Sequence, residues 1–123
     1  FRNPYPASDC NLERGGLCLN AVLRNWIRFY VPQGSKLVSF DGSSKKVQSY
    51  DELGKTVFEG FLGVPTQGQA TVTLKYTLPS NIDTSNYSLL VQKQAGVEEQ
   101  KLKVSYKNKT LFDGMLRTDK VIK

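Results

Sequence analysis

The stretch at residues 69–78 reads QATVTLKYTL. Ala70, Val72, Leu74 and Tyr76 fall on one side of it, and Thr71, Thr73, Lys75 and Thr77 on the other. Successive strand side chains point to opposite faces, so unbroken alternation of this kind marks a half-buried strand. A helix would instead need apolar residues three and four apart over ten or more positions, and no long run in the chain has that spacing. Shorter runs with the same strand character are expected at residues 19–31, 36–40, 47–53, 56–64, 87–94, 100–106, 110–116 and 121–122. Turn-forming residues separate them: Pro32-Gln33-Gly34, Asp41-Gly42-Ser43-Ser44, Pro65-Thr66-Gln67-Gly68, Ala95-Gly96 and Lys107-Asn108-Lys109. About eight or nine short strands, repeating roughly every ten residues, predict an all-β antiparallel sandwich or barrel.

The densest aromatic segment is NWIRFYVPQGSKLVSF, residues 25–40. Leu19, Ala21, Leu23, Ile27, Phe29 and Val31 share one face of the expected strand, and Val22, Arg24, Trp26, Arg28 and Tyr30 share the other. With rings on both faces, the expectation is a central strand, its second face covered by a loop and Trp26 mostly buried. The alternative leaves that face open, so that Arg24, Trp26, Arg28 and Tyr30 form an aromatic and basic ligand shelf. Pro32 cannot donate to a ladder and Gly34 can take positive φ, so the strand is expected to end there in a tight turn.

A chain of 123 residues suits one domain. Its net charge of +6 admits an anionic partner, either nucleic acid or an acidic wall polymer. The lysines are scattered and outnumber the arginines, which fits a solvated surface better than a phosphate-reading one. With no histidine, the commonest general base and metal ligand is missing, and no spacing supports a Ser–Lys or a paired-carboxylate alternative. Gly54-Lys55-Thr56 lacks the upstream glycine of a phosphate loop and leads into a β-rich run, so it reads as a turn. The loop at residues 81–86, NIDTSN, lacks the glycine and distal glutamate of a calcium loop and reads as Asx-type turns. The reading is non-enzymatic, with no catalytic, metal or cofactor residue assigned. Cys10 and Cys18 stand eight apart around Gly15-Gly16. They either stay reduced or close a small loop, and a bridge is the expectation for an exported protein.

Three segments carry a resemblance: RFYVPQGSKLVSFDG, ELGKTVFEGFLGVPTQGQATVTLKYTLP and YSLLVQKQAG. Their shared motifs are Val-Pro-x-Gly-Ser-x-Leu at 31–37, Gly-Lys-Thr-Val-Phe at 54–58 and Tyr-x-Leu-Pro at 76–79. From about Trp26 to Ala95 the chain resembles the C-terminal region of a family of uncharacterised bacterial cell-envelope proteins, a domain of unknown function. The run GVPTQGQATVTLKYTLP also resembles a strand-turn-strand of bacterial immunoglobulin-like modules, with Thr66 where a second proline is common. The resemblance implies an extracellular protein anchored by a region outside this chain, and it carries over no catalytic residue. The opening FRNPYPASDC, with no export segment before it, fits a piece of a longer protein. No apolar run approaches the ~20 residues that span a bilayer.

Together these readings predict a leader loop at residues 1–18 and an immunoglobulin-like β-sandwich at residues 19–123. The expected role is a non-enzymatic extracellular module of a bacterial envelope protein, a spacer or binding domain for a cell-wall polymer, a glycan or another surface protein. Two alternatives stay open. One is a carbohydrate- or anionic-polymer-binding module using Arg24, Trp26, Arg28 and Tyr30. The other is a basic nucleic-acid-binding β-barrel.

Overall fold

The computed structural model describes residues 1–123. The chain is all-β, with strand over 48% of its length. The strands are β1 (Leu23–Pro32), β2 (Lys36–Asp41), β3 (Gln48–Glu52), β4 (Lys55–Val64), β5 (Thr73–Thr77), β6 (Leu89–Val91), β7 (Gln100–Tyr106), β8 (Lys109–Leu116) and β9 (Lys120–Ile122). Every pairing is antiparallel. No helix is long and apolar enough to cross a membrane. The chain divides into two compact units, Phe1–Ile82 and Asp83–Lys123.

The first unit holds a three-stranded sheet in the order β1-β4-β3 and a two-stranded sheet, β2-β5. β4 is central and is buried along almost its whole length. Its even-numbered residues point inward: Phe58, Leu62 and Val64 are buried, each contributing about 1.5–3 kcal/mol by leaving water. The two sheets face each other through rings. Phe29 meets Phe40 edge-on at 5.8 Å, and Phe58 lies 6.0 Å from Tyr76. Gly60 makes room for this packing, because a Cβ there would stand 2.5 Å from the Phe40 ring. The alternation expected at residues 70–77 is present: Val72, Leu74 and Tyr76 are half-buried, whereas Thr71, Thr73, Lys75 and Thr77 are exposed.

The boundaries follow partner availability. The expected first strand starts at Leu23 and not at Leu19, because its partner ends at Val64 (Leu23↔Val64) and Pro65 begins a turn. β5 starts at Thr73 because its partner β2 ends at Asp41, and Gly42 then turns away at φ 92°. Gln69 pairs instead with Arg2 in an isolated bridge, and the Phe1 amino group donates to the Ala70 carbonyl at 2.9 Å. Asn3, buried, donates to the carbonyls of Ala21 and Val64. Residues 1–18 therefore contain no strand, yet their first residues are fastened to the sheets. Cys10 and Cys18 are joined in a disulfide with Cα atoms 4.3 Å apart.

Two turns organise the first unit. At Pro32-Gln33-Gly34-Ser35, the Ser35 amide donates to the Pro32 carbonyl and Gly34 sits at φ 86°, the arrangement of a type II turn. Here the turn carries the chain from one sheet to the other, since β1 pairs with β4 and β2 with β5. The buried Thr56 hydroxyl anchors it, accepting from the Gly34 amide at 3.0 Å and donating to Asp51 at 2.8 Å. Between β3 and β4, Leu53 and Gly54 both take positive φ, 52° and 67°. That is a two-residue type I′ hairpin; it places Gly54 in the turn as expected, whereas Lys55 and Thr56, also read as turn, already belong to β4.

The second unit consists of two ladders, β7-β8 and β6-β9, with Leu116 and Ile122 buried. The strand expected at residues 87–94 is limited to Leu89–Val91, because its partner β9 is only three residues long. Beyond it the Lys93 amide is satisfied by the Asp119 carboxylate at 2.7 Å. In the loop at residues 81–86, Asp83 accepts from both the amide and the hydroxyl of Ser85, an Asx turn. These bonds hold the Asp83 carboxyl below its usual range.

Candidate functional site

The outer face of the β1-β4-β3 sheet is built by register. Pairing sets Arg24 opposite Gly63, Trp26 opposite Phe61, Arg28 opposite Glu59 and Tyr30 opposite Val57. On the far side of β4, Gln48 faces Glu59 and Tyr50 faces Val57. Directly opposed residues share a face, so Arg24, Trp26, Arg28 and Tyr30 stand in one row beside Phe61, Glu59 and Val57. The expected separation of faces on β1 is correct. The expected central position and the expected cover are not, because β1 is an edge strand of this sheet and Trp26 is 66% exposed, with Tyr30 also exposed. The second sheet lies against the opposite face, where Phe29 and Phe58 have already met Phe40 and Tyr76.

One half of this outer face is closed by its own side chains. Val57 lies in register between Tyr30 and Tyr50 and is fully buried. The Tyr30 hydroxyl donates to Glu52 at 2.6 Å and accepts from Arg28 at 3.3 Å. The Tyr50 hydroxyl donates to Glu59 at 2.7 Å. Glu59 is 8% exposed and lies 3.6 Å from the Arg28 Nε. Arg28 is thus held between two carboxylates, Glu59 and the more distant Glu52 at 4.0 Å. The bond with Tyr30 pushes the Arg28 pKa further up. Bonding to Glu59, followed by burial, pushes the Tyr50 hydroxyl up.

The other half is open. Arg24, Trp26, Lys45, Lys46, Gln48, Glu59, Gly60 and Phe61 line a cleft of about 500 Å³. Arg28 stacks over the Trp26 ring, its Cζ 5.7 Å from the ring centre, and Lys45 Nζ lies 5.9 Å from the centre of Phe61. Both distances suit cation–π attraction. The loop that brings Lys45 and Lys46 here is fastened to β4 beyond the end of β3. The Ser44 amide and hydroxyl both donate to the Phe61 carbonyl, at 2.7 and 2.9 Å, and the Phe61 amide donates to the Ser43 hydroxyl at 3.1 Å. Arg24, Lys45 and Lys46 make no ion pair.

The structure therefore brings together the four expected face residues, while Cys10 and Cys18 form a separate loop. Sequence reasoning missed Lys45, Lys46, Gln48, Glu59 and Phe61. The available signal was a glutamate inside the apolar run TVFEGFLGV, two residues from a phenylalanine on the same strand face. No group of histidine, cysteine, aspartate or glutamate side chains is arranged to hold a metal ion. No family model, curated protein or solved structure matches the chain.

Proposed function

We propose that this chain is a non-enzymatic extracellular module of a bacterial cell-envelope protein, with an immunoglobulin-like β-sandwich as its scaffold, and that its outer β1-β4 face binds a saccharide. The scaffold reading is supported by two antiparallel sheets facing each other through Phe29, Phe40, Phe58 and Tyr76. The extracellular reading is supported by the Cys10–Cys18 disulfide, since such bonds persist in oxidising compartments. The envelope assignment rests on the motifs at 31–37, 54–58 and 76–79.

The observation that carries the binding reading is the exposure of Trp26 beside Phe61 in an open cleft. A large ring left in water forgoes about 1.5–3 kcal/mol of burial, and a flat ring edged by polar groups is suited to stack a sugar ring. The carboxylates nearby are committed to Arg28 and the tyrosines, which supports a holding role over a hydrolytic one.

Trp26 is the only tryptophan, so intrinsic emission reports this face alone. Red-shifted emission, open to a soluble quencher, is expected, with a saturable change when cell-wall oligosaccharides are titrated. Blue-shifted emission that no saccharide alters would sink the reading and leave a spacer role.

A further inference from the structure

We infer that the ligand of the Trp26 face is an acidic polysaccharide, one carrying carboxylates on the sugar rings themselves. This rests on the saccharide reading above and adds the charge class. Arg24, Arg28, Lys45 and Lys46 reach the outer face around Trp26, and Lys55 shares the face at its far end, opposite Glu52. Its carboxylates are Glu52 and Glu59, and both are engaged by Arg28. Glu59 is also nearly buried and receives the Tyr50 hydroxyl. Arg24, Lys45 and Lys46 are left over, and all three line the open cleft at the Trp26 end.

One carboxylate, Glu59, lines the cleft, but it is taken up by Arg28 and the Tyr50 hydroxyl, so the hydrogen-bonding groups left on that rim are mainly donors. Lysine and arginine only donate, and Gln48 is the sole amide on the rim. Neutral sugar hydroxyls both donate and accept, and they need acceptors around them. A carboxylate only accepts, which complements three donor-only cations. The charges also stand close to the stacking surface. Lys45 lies over the Phe61 ring and Arg28 over the Trp26 ring, while Arg24 precedes Trp26 by two residues on the same strand face, roughly 7 Å along the strand. In a uronate the carboxylate hangs directly from the ring that stacks. In a nucleotide the phosphate is separated from the stacking base by a sugar, so cations packed against the rings favour the uronate.

The backbone that carries the two lysines is also held in place before any ligand arrives. Ser43 and Ser44 bind the Phe61 backbone, and the Ser43 hydroxyl donates to the Lys45 carbonyl at 2.7 Å, which fixes the backbone that carries the lysines. Pre-ordering of this kind lowers the entropic cost of binding.

The test compares an oligogalacturonate with the same oligomer whose carboxyls have been reduced to alcohols, and with an oligodeoxynucleotide of equal charge. Binding is read by Trp26 fluorescence and calorimetry at low and high salt. The acidic oligomer is expected to bind at least tenfold more tightly than its reduced form, with affinity falling as salt rises. Lys45→Gln with Lys46→Gln should erase most of that preference while leaving weak binding of the reduced oligomer. Trp26→Ala should abolish both. Equal, salt-insensitive binding of the two oligomers overturns the charge inference and leaves the saccharide shelf standing. Failure of both oligomers to bind overturns the shelf as well. Tighter binding of the oligonucleotide overturns the inference in favour of nucleic acid.

Discussion

On the inner face of the β1-β4-β3 sheet, Phe29 stands opposite Phe58, and the two rings meet Phe40 and Tyr76 of the other sheet. One residue along each strand, on the outer face, Tyr30 stands opposite Val57 and Trp26 opposite Phe61. The two faces carry comparable apolar material on the same strands, yet the rings of the first are buried or half-buried while Trp26 and Tyr30 of the second reach solvent. The difference lies in what stands across from each. β2 and β5 cover the inner face, whereas the outer face has only its own tyrosines and charged side chains. Those suffice to bury Val57 but leave Trp26 open. A ring's place on a strand thus sets its direction, and a separate element decides whether that direction ends in core or in water.

The comparison breaks first if the inner face turns out to be dispensable. Phe58→Ala removes a fully buried ring and is expected to cost about 3–5 kcal/mol in denaturant melts. A loss below ~1 kcal/mol would mean that the two faces do not differ in the way described.

A smaller effect separates the closed half of the outer face from the open one. Tyr50 holds its proton more tightly in the folded chain, chiefly by bonding to Glu59. Because its folded pKa is raised, its stabilising contribution is complete below the unfolded value of about 10 and is lost as pH rises through the folded value. Stability of the native chain should therefore fall more steeply above pH ~10 than that of Tyr50→Phe. Parallel alkaline branches would show that the Tyr50–Glu59 bond contributes nothing to folding.

The smallest stability effect is expected at the most conspicuous ring. Trp26→Ala should shift stability by no more than about 0.5 kcal/mol, as at other exposed sites, and thermal melts of the two proteins should nearly superimpose. A loss above ~2 kcal/mol would show Trp26 acting as core and would erase the contrast between faces.

The Trp26 case also shows where sequence reasoning stops. Alternation at residues 70–77 and at 23–31 assigned the faces of β5 and β1, because side-chain direction is a local consequence of the pleat. The turn at Pro32-Gln33-Gly34 was legible for a similar reason, since proline fixes φ and glycine admits positive φ whatever the rest of the chain does. Whether a second layer covers Trp26 depends on β1 pairing with β4 while β2 pairs with β5, and no single stretch encodes those long-range choices. Lys45 and Lys46 illustrate the same limit. They look like ordinary solvated lysines until the Ser43-Ser44 bonds to Phe61 carry them to the cleft. The short β6 was misjudged because strand length is set by the partner, and β9 offers only three residues.

The two-residue turn at Leu53-Gly54 has a consequence in time. β3 and β4 are consecutive and need only that turn to meet, so their hairpin can close within microseconds. β1 reaches β4 only after everything between Pro32 and Lys55 has been looped out, a slower search with a larger closure entropy. Tyr50 and Glu59 therefore come together early, whereas Trp26 meets Phe61 only once β1 docks on β4 across that longer loop. A chain caught before that step presents half a face and no shelf, so ligand capture is confined to molecules in which β1 has docked on β4.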